Sequence, residues 1–523
     1  SFDIFAASAD INGDYGQCSI LHKRKTIQVS KPQSFTTTRR DIVNRFFASG
    51  SEYAKEFAYF FKENPISDQV KHNTVDQYWY RLAGSLVYLE QYGVHFMVSR
   101  MVYSYDKRRD KPALSLVYGQ IFDENWKELP NVELVVPSNN PDIHNDEKEE
   151  AQKFTAISYP DFLPFPAYHK FNINKDGYYG PEDPRIIVVK NPKGYEEPLV
   201  LFNANHRKIL EEEIEEASKS KVLFKEYRSM FMSWPWQFQR GKLNMEDLKS
   251  KHNSNLYTRV IELKIENSMR LLAQQKNWTP FISFQERVAE GYDKYIYMVI
   301  RWNNIEVLKC SLTENFDNSV SSCSFEYKMR TTEVLDGVGP LRGGTEMVNV
   351  NMLLHEHVEK FPQLQHELDR IPEGREVYLG FARAHFKECG CGKGFYRPNL
   401  VTLVKDNASQ YKLHDVGSFM SLNVPVTSWD LSRDLEECIN GLPNLLIPNG
   451  VSAWDIRKVG THVLDYLTLS FSVNDHTVDM VHIQGLLRYL LPGLNENGHF
   501  GYDNDNVKCA MDLSSAYCTA YGE

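Results

Sequence analysis

The chain of 523 residues carries 59 lysine and arginine residues against 69 aspartate and glutamate residues, a formal net charge of −10, and is 42% hydrophobic. That acidic balance excludes wholesale binding of nucleic acid, so any recognition of phosphate must be local. No run approaches the ~18 apolar residues of a membrane-spanning helix, nothing at the N-terminus resembles a secretory leader, and the apolar content supports a large core. In chain order, "TTTRRDIVNRFFASGSEYAKEFAYFF" has capping residues at its start and apolar residues at helical spacing, and "VDQYWYRLAGSLVYLEQY" is read as a further helix. From about residue 92 the texture changes to short apolar or alternating runs divided by Gly, Asn, Asp and Pro: "GVHFMVSRMVYS", "ALSLVYGQIF", "VELVVP", "RIIVVK", "LVLFNAN", "YTRVIELKI", "YIYMVIRW", "EVYLGFARAHF", "NLVTLV" and "LTLSFSVND". These predict many antiparallel strands, arranged as radially repeated sheets or a large sandwich. Helical texture returns at "NMLLHEHVEKFPQLQHELDRI" and "IQGLLRYLL", and the charged segments 139–153 and 207–222 are expected as solvated loops or helices.

Eight cysteines (Cys18, Cys310, Cys323, Cys389, Cys391, Cys438, Cys509 and Cys518) are compatible with disulfides of open connectivity. "CGCG" at 389–392 lacks the second ligand pair of a structural zinc site, and His355 and His357 of "HEHVE" point to different sides of a helix. Asp503-Asn504-Asp505, the sole Asp-x-Asp triplet, lies in a polar tail and reads as a turn, so no metal is expected. Asn277 and Asn407 begin glycosylation triplets, and Trp234, Trp236, Trp302 and Trp454 are expected in the core.

The most informative stretch is "GYYGPEDPRIIVV", Gly177 to Val189. Pro184 belongs at a strand start or bulge and should hold Asp183 extended. Strand alternation then puts Asp183 and Arg185 on one face and Glu182 on the other. A carboxylate fixed beside a positive charge suits a base next to an anionic substrate group; a turn closed by an Asp–Arg salt bridge is the plainer alternative. "GFARAHF" places Arg383 and His385 on one strand face, with Arg397 of "YRPN" a hairpin away, an arrangement that suits a diphosphate. Arg100 and Arg301 interrupt apolar strands and need partners. His206 ends the strand after the signature, and Arg342 sits beside Gly343-Gly344, whose backbone could approach phosphate or simply turn.

"GPEDPRI" resembles the signature of the five-bladed propeller mannoside phosphorylases of glycoside hydrolase family 130. "WYRLAGSLVYLEQYGVHFMVSRMVYS", "GYYGPEDPRI", "MFMSWPWQFQRGK", "QKNWTPF", "YRPNLVTL" and "IPNGVSAW" together resemble the fungal β-1,2-mannosyltransferases, over about residues 75 to 490. The resemblance implies a mainly β fold: a five-bladed β-propeller over 91–490, a helical extension over 1–90 and a cap over 491–523. It implies an inverting transfer of mannose from GDP-mannose to the 2-hydroxyl of a terminal mannose on cell-wall mannan, without a cofactor or required metal. Asp183 would be the single base; Arg185, Lys276, Arg301, Arg342, Arg383, His385 and Arg397 would meet the diphosphate; Arg100, Glu182, His206 and Asp475 would hold sugar. Asn277, beside Lys276, would then face the pocket without a glycan. The family's Golgi setting implies a type II membrane protein whose anchor precedes Ser1. A phosphorylase using mannose-1-phosphate and inorganic phosphate needs the same groups, and a non-catalytic mannan-binding module would need none of them.

Overall fold

A computed structural model describes residues 2–4, 27–140, 152–213, 221–243, 245–246, 252–266, 277–312, 320–329, 339–386, 395–420, 422, 424, 445–491 and 505–521. Three short strands, β1 (Phe2–Ile4), β2 (Gln28–Ser30) and β3 (Gln33–Ser34), precede helices Arg39–Ala48, Glu52–Phe57 and Ile66–Lys71. Thr38 and Ser51 cap the first two, each side chain accepting from the backbone N–H three residues on. The apolar sides of the first two helices (Ile42, Val43, Phe46 and Phe57) and Phe60 of the 3-10 turn Ala58–Phe61 pack on Trp79, Tyr103 and Leu114.

The rest is mainly strand. β4 (Trp79–Leu89), β5 (Val94–Tyr103) and β6 (Leu114–Phe122) pair in series; the hairpin β7 (Val132–Pro137) and β8 (Phe154–Tyr159) follows, and β9 (Asp161–Phe162) adds to β6. β10 (Glu182–Lys190), β11 (Glu196–Glu213), β12 (Lys221–Arg240) and β13 (Leu256–Ile265) form an antiparallel run. A second run, β14 (Thr279–Phe281), β15 (Tyr295–Arg301), β16 (Glu306–Ser311) and β17 (Val320–Lys328), joins it through a parallel β13–β17 pair, giving eight strands. β18 (Leu341–Arg342), β19 (Val348–Asn349), β20 (Glu376–Phe386), β21 (Phe395–Lys405) and β22 (Tyr411–Phe419) make the next sheet. The last comprises β23 (Leu446–Val459), β24 (His462–Val473) and β25 (Asp479–Gln484), with β2 laid along β25 and β1 beyond it. β4 packs on β10 and β23, and β20 and β21 pack on β23, so the leading strands of separate sheets meet near the middle. Cys310 and Cys323 face each other across β16 and β17 and are disulfide-bonded.

Two expectations are corrected. The segment 75–92 is α-helical only at Val75–Tyr78, β4 then runs eleven residues, and a single 3-10 turn follows at Glu90–Tyr92. Nearly every β4 side chain is buried, so its apolar run does not alternate and is indistinguishable by pattern from a buried helix. The segment 207–222 is not a loop or helix at its ends. β11 runs to Glu213 and β12 starts at Lys221, and the two pair from Val200 opposite Ser233 to Glu213 opposite Lys221 as one long hairpin. The four tryptophans Trp234, Trp236, Trp302 and Trp454 are buried, as expected. Cys389, Cys391, Asp503 and Asn504 lie outside the described residues, whereas Asp505 opens the helix Asp505–Tyr521.

Candidate active site

The signature segment is clamped before it becomes a strand. The Tyr179 N–H donates to the Ala113 carbonyl at 3.1 Å and the Ser115 N–H to the Tyr179 carbonyl at 2.8 Å. The Ser115 hydroxyl donates to the Pro181 carbonyl at 2.5 Å. Gly180 has φ 99°, and a Cβ there would stand 2.0 Å from the Ser115 carbonyl oxygen, so only glycine allows this approach. The chain enters β10 through a bulge: its pairing with β11 shifts register between Glu182 and Arg185. Asp183 sits in that bulge with φ 48°, in the left-handed region and not extended as Pro184 led us to expect. The bulge breaks the simple alternation of faces, and aspartate tolerates the left-handed region better than most residues.

Arg100 Nη1 lies 3.8 Å from Asp183 Oδ1, with the arginine side chain 9% and the aspartate 28% exposed. Arg100 Nε donates to the Ser115 hydroxyl at 3.1 Å, and Nη2 meets the Tyr178 hydroxyl. Arg185 is buried, donating from Nη1 to the Pro184 carbonyl at 3.0 Å and from Nε to the Gly344 carbonyl. Burial lowers its guanidinium to about 10, against the pull of the Asp183 charge. Asp475, with φ 48° after Asn474 at 51°, occupies the turn after β24. Loss of water and then the Asp183 charge push its carboxyl up to about 6, while Arg100, Arg383 and Arg109 pull the other way. Arg109 itself donates to the Asn474 carbonyl at 3.3 Å.

Arg383 is buried and donates from Nη2 to Asn277 Oδ1 at 2.8 Å, with its guanidinium 5.2 Å from the centre of the Tyr396 ring. Ala382 and Ala384 point the other way into the core, as alternation along β20 requires. Arg342 stands opposite Arg383 across β18 and β20; burial and then this like charge lower its guanidinium, Tyr396 opposing. His385 stacks on Tyr396 at 4.4 Å, and Arg397 is buried with Nη1 donating to the Tyr396 carbonyl at 2.8 Å.

Arg100, Asp183, Arg185, Arg383 and Asp475 are therefore electrostatic neighbours, and Arg342 and His385 adjoin Arg383, whereas Arg397 stands opposite Ala384 in the β20–β21 register. Three of the remaining sequence candidates go elsewhere. Glu182 pairs with Arg228, which also donates to Asn203 Oδ1 at 3.1 Å. His206 is buried within its sheet, 2.8 Å from the Ser229 hydroxyl, and does not join the Asp183 group. Arg301 ends β15 opposite Glu306. Lys276 lies outside the described residues. Gly343 and Gly344 are explained by backbone approach, since a Cβ would fall 2.1 Å from the Asn277 carbonyl oxygen and 2.2 Å from that of Phe381. Sequence reasoning missed Arg109, Tyr178 and Arg228. Tyr178 stood inside the signature, but Arg109 lies in a Lys-Arg-Arg-Asp run that reads as surface.

Two ionisable aspartates among four buried or half-buried arginines form a site for an anion beside a carboxylate able to accept a proton. Comparison with known proteins then gives the family. The beta-mannosyltransferase family profile matches residues 17–517. Beta-mannosyltransferase 2 of Candida albicans is 38% identical over 98% of this chain and 75% of its own length, and beta-mannosyltransferase 8 of the same organism 38% identical over 100% and 79%. The chain belongs to the beta-mannosyltransferase family. Among solved structures a glycoside hydrolase aligns over 78% of this chain and 88% of its own, at 7% identity and a TM-score of 0.31, too slight a likeness to carry weight.

Proposed function

We propose that this chain is an inverting β-1,2-mannosyltransferase that moves mannose from GDP-mannose to the 2-hydroxyl of a terminal mannose on cell-wall mannan. The observation that carries the reading is Asp183, held in a left-handed bulge 3.8 Å from Arg100 and electrostatically coupled to Asp475. Inversion from an α-linked donor takes one displacement and one base. Asp183 takes the proton of the acceptor hydroxyl, directly or through a sugar hydroxyl, as that oxygen attacks the anomeric carbon. The bond to the diphosphate breaks on the opposite face. Arg100, Arg185 and Arg383, with Arg342 behind, supply the positive charge that a departing diphosphate needs, so metal is not required. Asp475 and Arg109 hold the sugar.

The fold reading that goes with this is a five-bladed propeller. β4–β6 with β9, β10–β13, β14–β17, β18–β22 and β23–β25 with β2 would be the blades, with helices before and after. A Golgi type II setting follows from the family resemblance. The test is product analysis with GDP-mannose or mannose-1-phosphate and a short mannose oligosaccharide, in EDTA. We expect a β-1,2 product from GDP-mannose alone, and loss of at least a thousandfold in rate with Asp183→Asn. Use of mannose-1-phosphate alone would make the enzyme a phosphorylase; full activity of the variant would remove Asp183 from the mechanism.

A further inference from the structure

We propose that the end of the sheets remote from Asp183 carries a second site, for an uncharged oligosaccharide. A half-open cavity of about 940 Å3 lies there, between the far parts of β4, β10 and β23, with Ile187 and Val188 in its wall. At about 3.3 Å per residue along β10, it is roughly 15 Å from Asp183.

Three observations mark it as built for a ligand. Glu346 lines the cavity and is 4% exposed; its Oε1 accepts from the Val451 N–H at 2.8 Å, while Oε2 has no hydrogen-bond partner among the described residues. An unmatched buried carboxyl oxygen costs about 1–3 kcal/mol unless something fills the space. Trp126, also in the wall, has φ 67°, a conformation that a bulky residue adopts only where its surroundings impose it. Its indole stacks on His95 at 3.7 Å, and His95 Nδ1 lies 2.8 Å from the Ser452 hydroxyl, so a fixed aromatic plate stands beside the cavity. Finally, the carboxylates of Glu90, Glu124, Glu196 and Asp455 outnumber the guanidiniums of Arg287 and Arg457, and Arg287 is already paired with Asp293 at 2.6 Å.

That charge repels phosphate and excludes the nucleotide from this end. Carboxylates, hydroxyls and aromatic plates are what a sugar needs: acceptors for its diols and flat faces for its C–H surfaces. A second grip on a long polymer raises the effective concentration of chain ends at the first site. The choice of mannan as ligand rests on the mannosyltransferase reading; the existence of the site does not.

The experiment is calorimetric titration of the whole chain with phosphate-free mannohexaose, without donor. We expect Trp126→Ala and Asp455→Asn each to weaken one binding event at least tenfold. Both should keep the wild-type unfolding midpoint and turnover of mannobiose within twofold, and raise KM for intact mannan several-fold. The proposal fails if both variants bind as wild type does, or if wild type shows a single event that Asp475→Asn abolishes. It also fails if calcium or spermidine, but not mannohexaose, binds in a manner sensitive to Asp455→Asn. Absence of transfer from GDP-mannose would overturn the proposed function and leave this binding result standing.

Discussion

Asp183 and Asp475 both hold φ 48°, and each such non-glycine position costs on the order of 1–3 kcal/mol that its surroundings must offset. Asparagine tolerates that region as aspartate does. Asp183→Asn therefore isolates the carboxylate from the backbone, which alanine would not. Asp475 yields a pH prediction. Its carboxyl is displaced upward to about 6, by loss of water and then by Asp183. Below that value it is neutral, and above it the site gains a second negative charge. We expect kcat/KM to show an ionisation near pH 6 that Asp475→Asn removes, and an unchanged profile would exclude the group. Glu346 gives a stability test of opposite design. Burial raises it from 4.5 to about 8, so the folded chain binds a proton that the unfolded chain releases from pH 4.5 upward. Its contribution is whole below pH 4.5 and is lost as pH rises to about 8. Glu346→Gln should lose less stability than wild type between pH 5 and 8.5, by about a few kcal/mol in unfolding free energies from denaturant titration.

The helices between Arg39 and Lys71 are tied to the sheets by a buried charge cluster as well as by aromatic packing. Glu56, wholly buried, lies 3.2 Å from Lys242 Nζ and 3.3 Å from His169 Nε2, and the Tyr257 hydroxyl donates to it. Burial would raise this carboxyl, but the His169 hydrogen bond and the Lys242 charge outweigh it and hold it at about 2. Glu56→Ala leaves the 2%-exposed Lys242 without its partner and should cost about 3–5 kcal/mol in denaturant unfolding. Glu56→Leu with Lys242→Met should recover most of that loss, and additive penalties would exclude the pair as the cause. Legibility in the sequence divides along the same lines. Caps at Thr38 and Ser51, and strands that alternate or end at turns, are local and could be read. β4 could not, because burial on both faces erases the period that distinguishes strand from helix. The signature stretch was legible through resemblance, yet the left-handed Asp183 was not, since the bulge follows from how β10 meets β11. Arg109 was invisible because only the fold carries it to Asn474.

At the scale of the molecule, the distant ends of the chain share a sheet. Val29 of β2 pairs with Ile483 of β25 on one side and Asp3 of β1 on the other, and its side chain is fully buried with Leu467, Leu469 and Ile483. Within the propeller reading, this seam lets the last sheet finish against strands made before the first. Such a join uses contacts of the greatest sequence separation, so it forms late and opens first. Val29→Pro removes one ladder donor whichever neighbour receives it, and much of a buried valine side chain besides. The two effects together cost about 3 kcal/mol. The loss falls on the seam, because the helices and β4 are held separately by the aromatic cluster around Trp79. The exposed stretch 31–34, just after β2, reports on it. We expect subtilisin, which cuts with little sequence preference, to cleave between residues 33 and 36 at least tenfold faster in Val29→Pro while β20 and β21 stay protected. Equal cleavage in both proteins would show that the seam contributes nothing to stability, and simultaneous cleavage everywhere would show that it carries the stability of the whole chain.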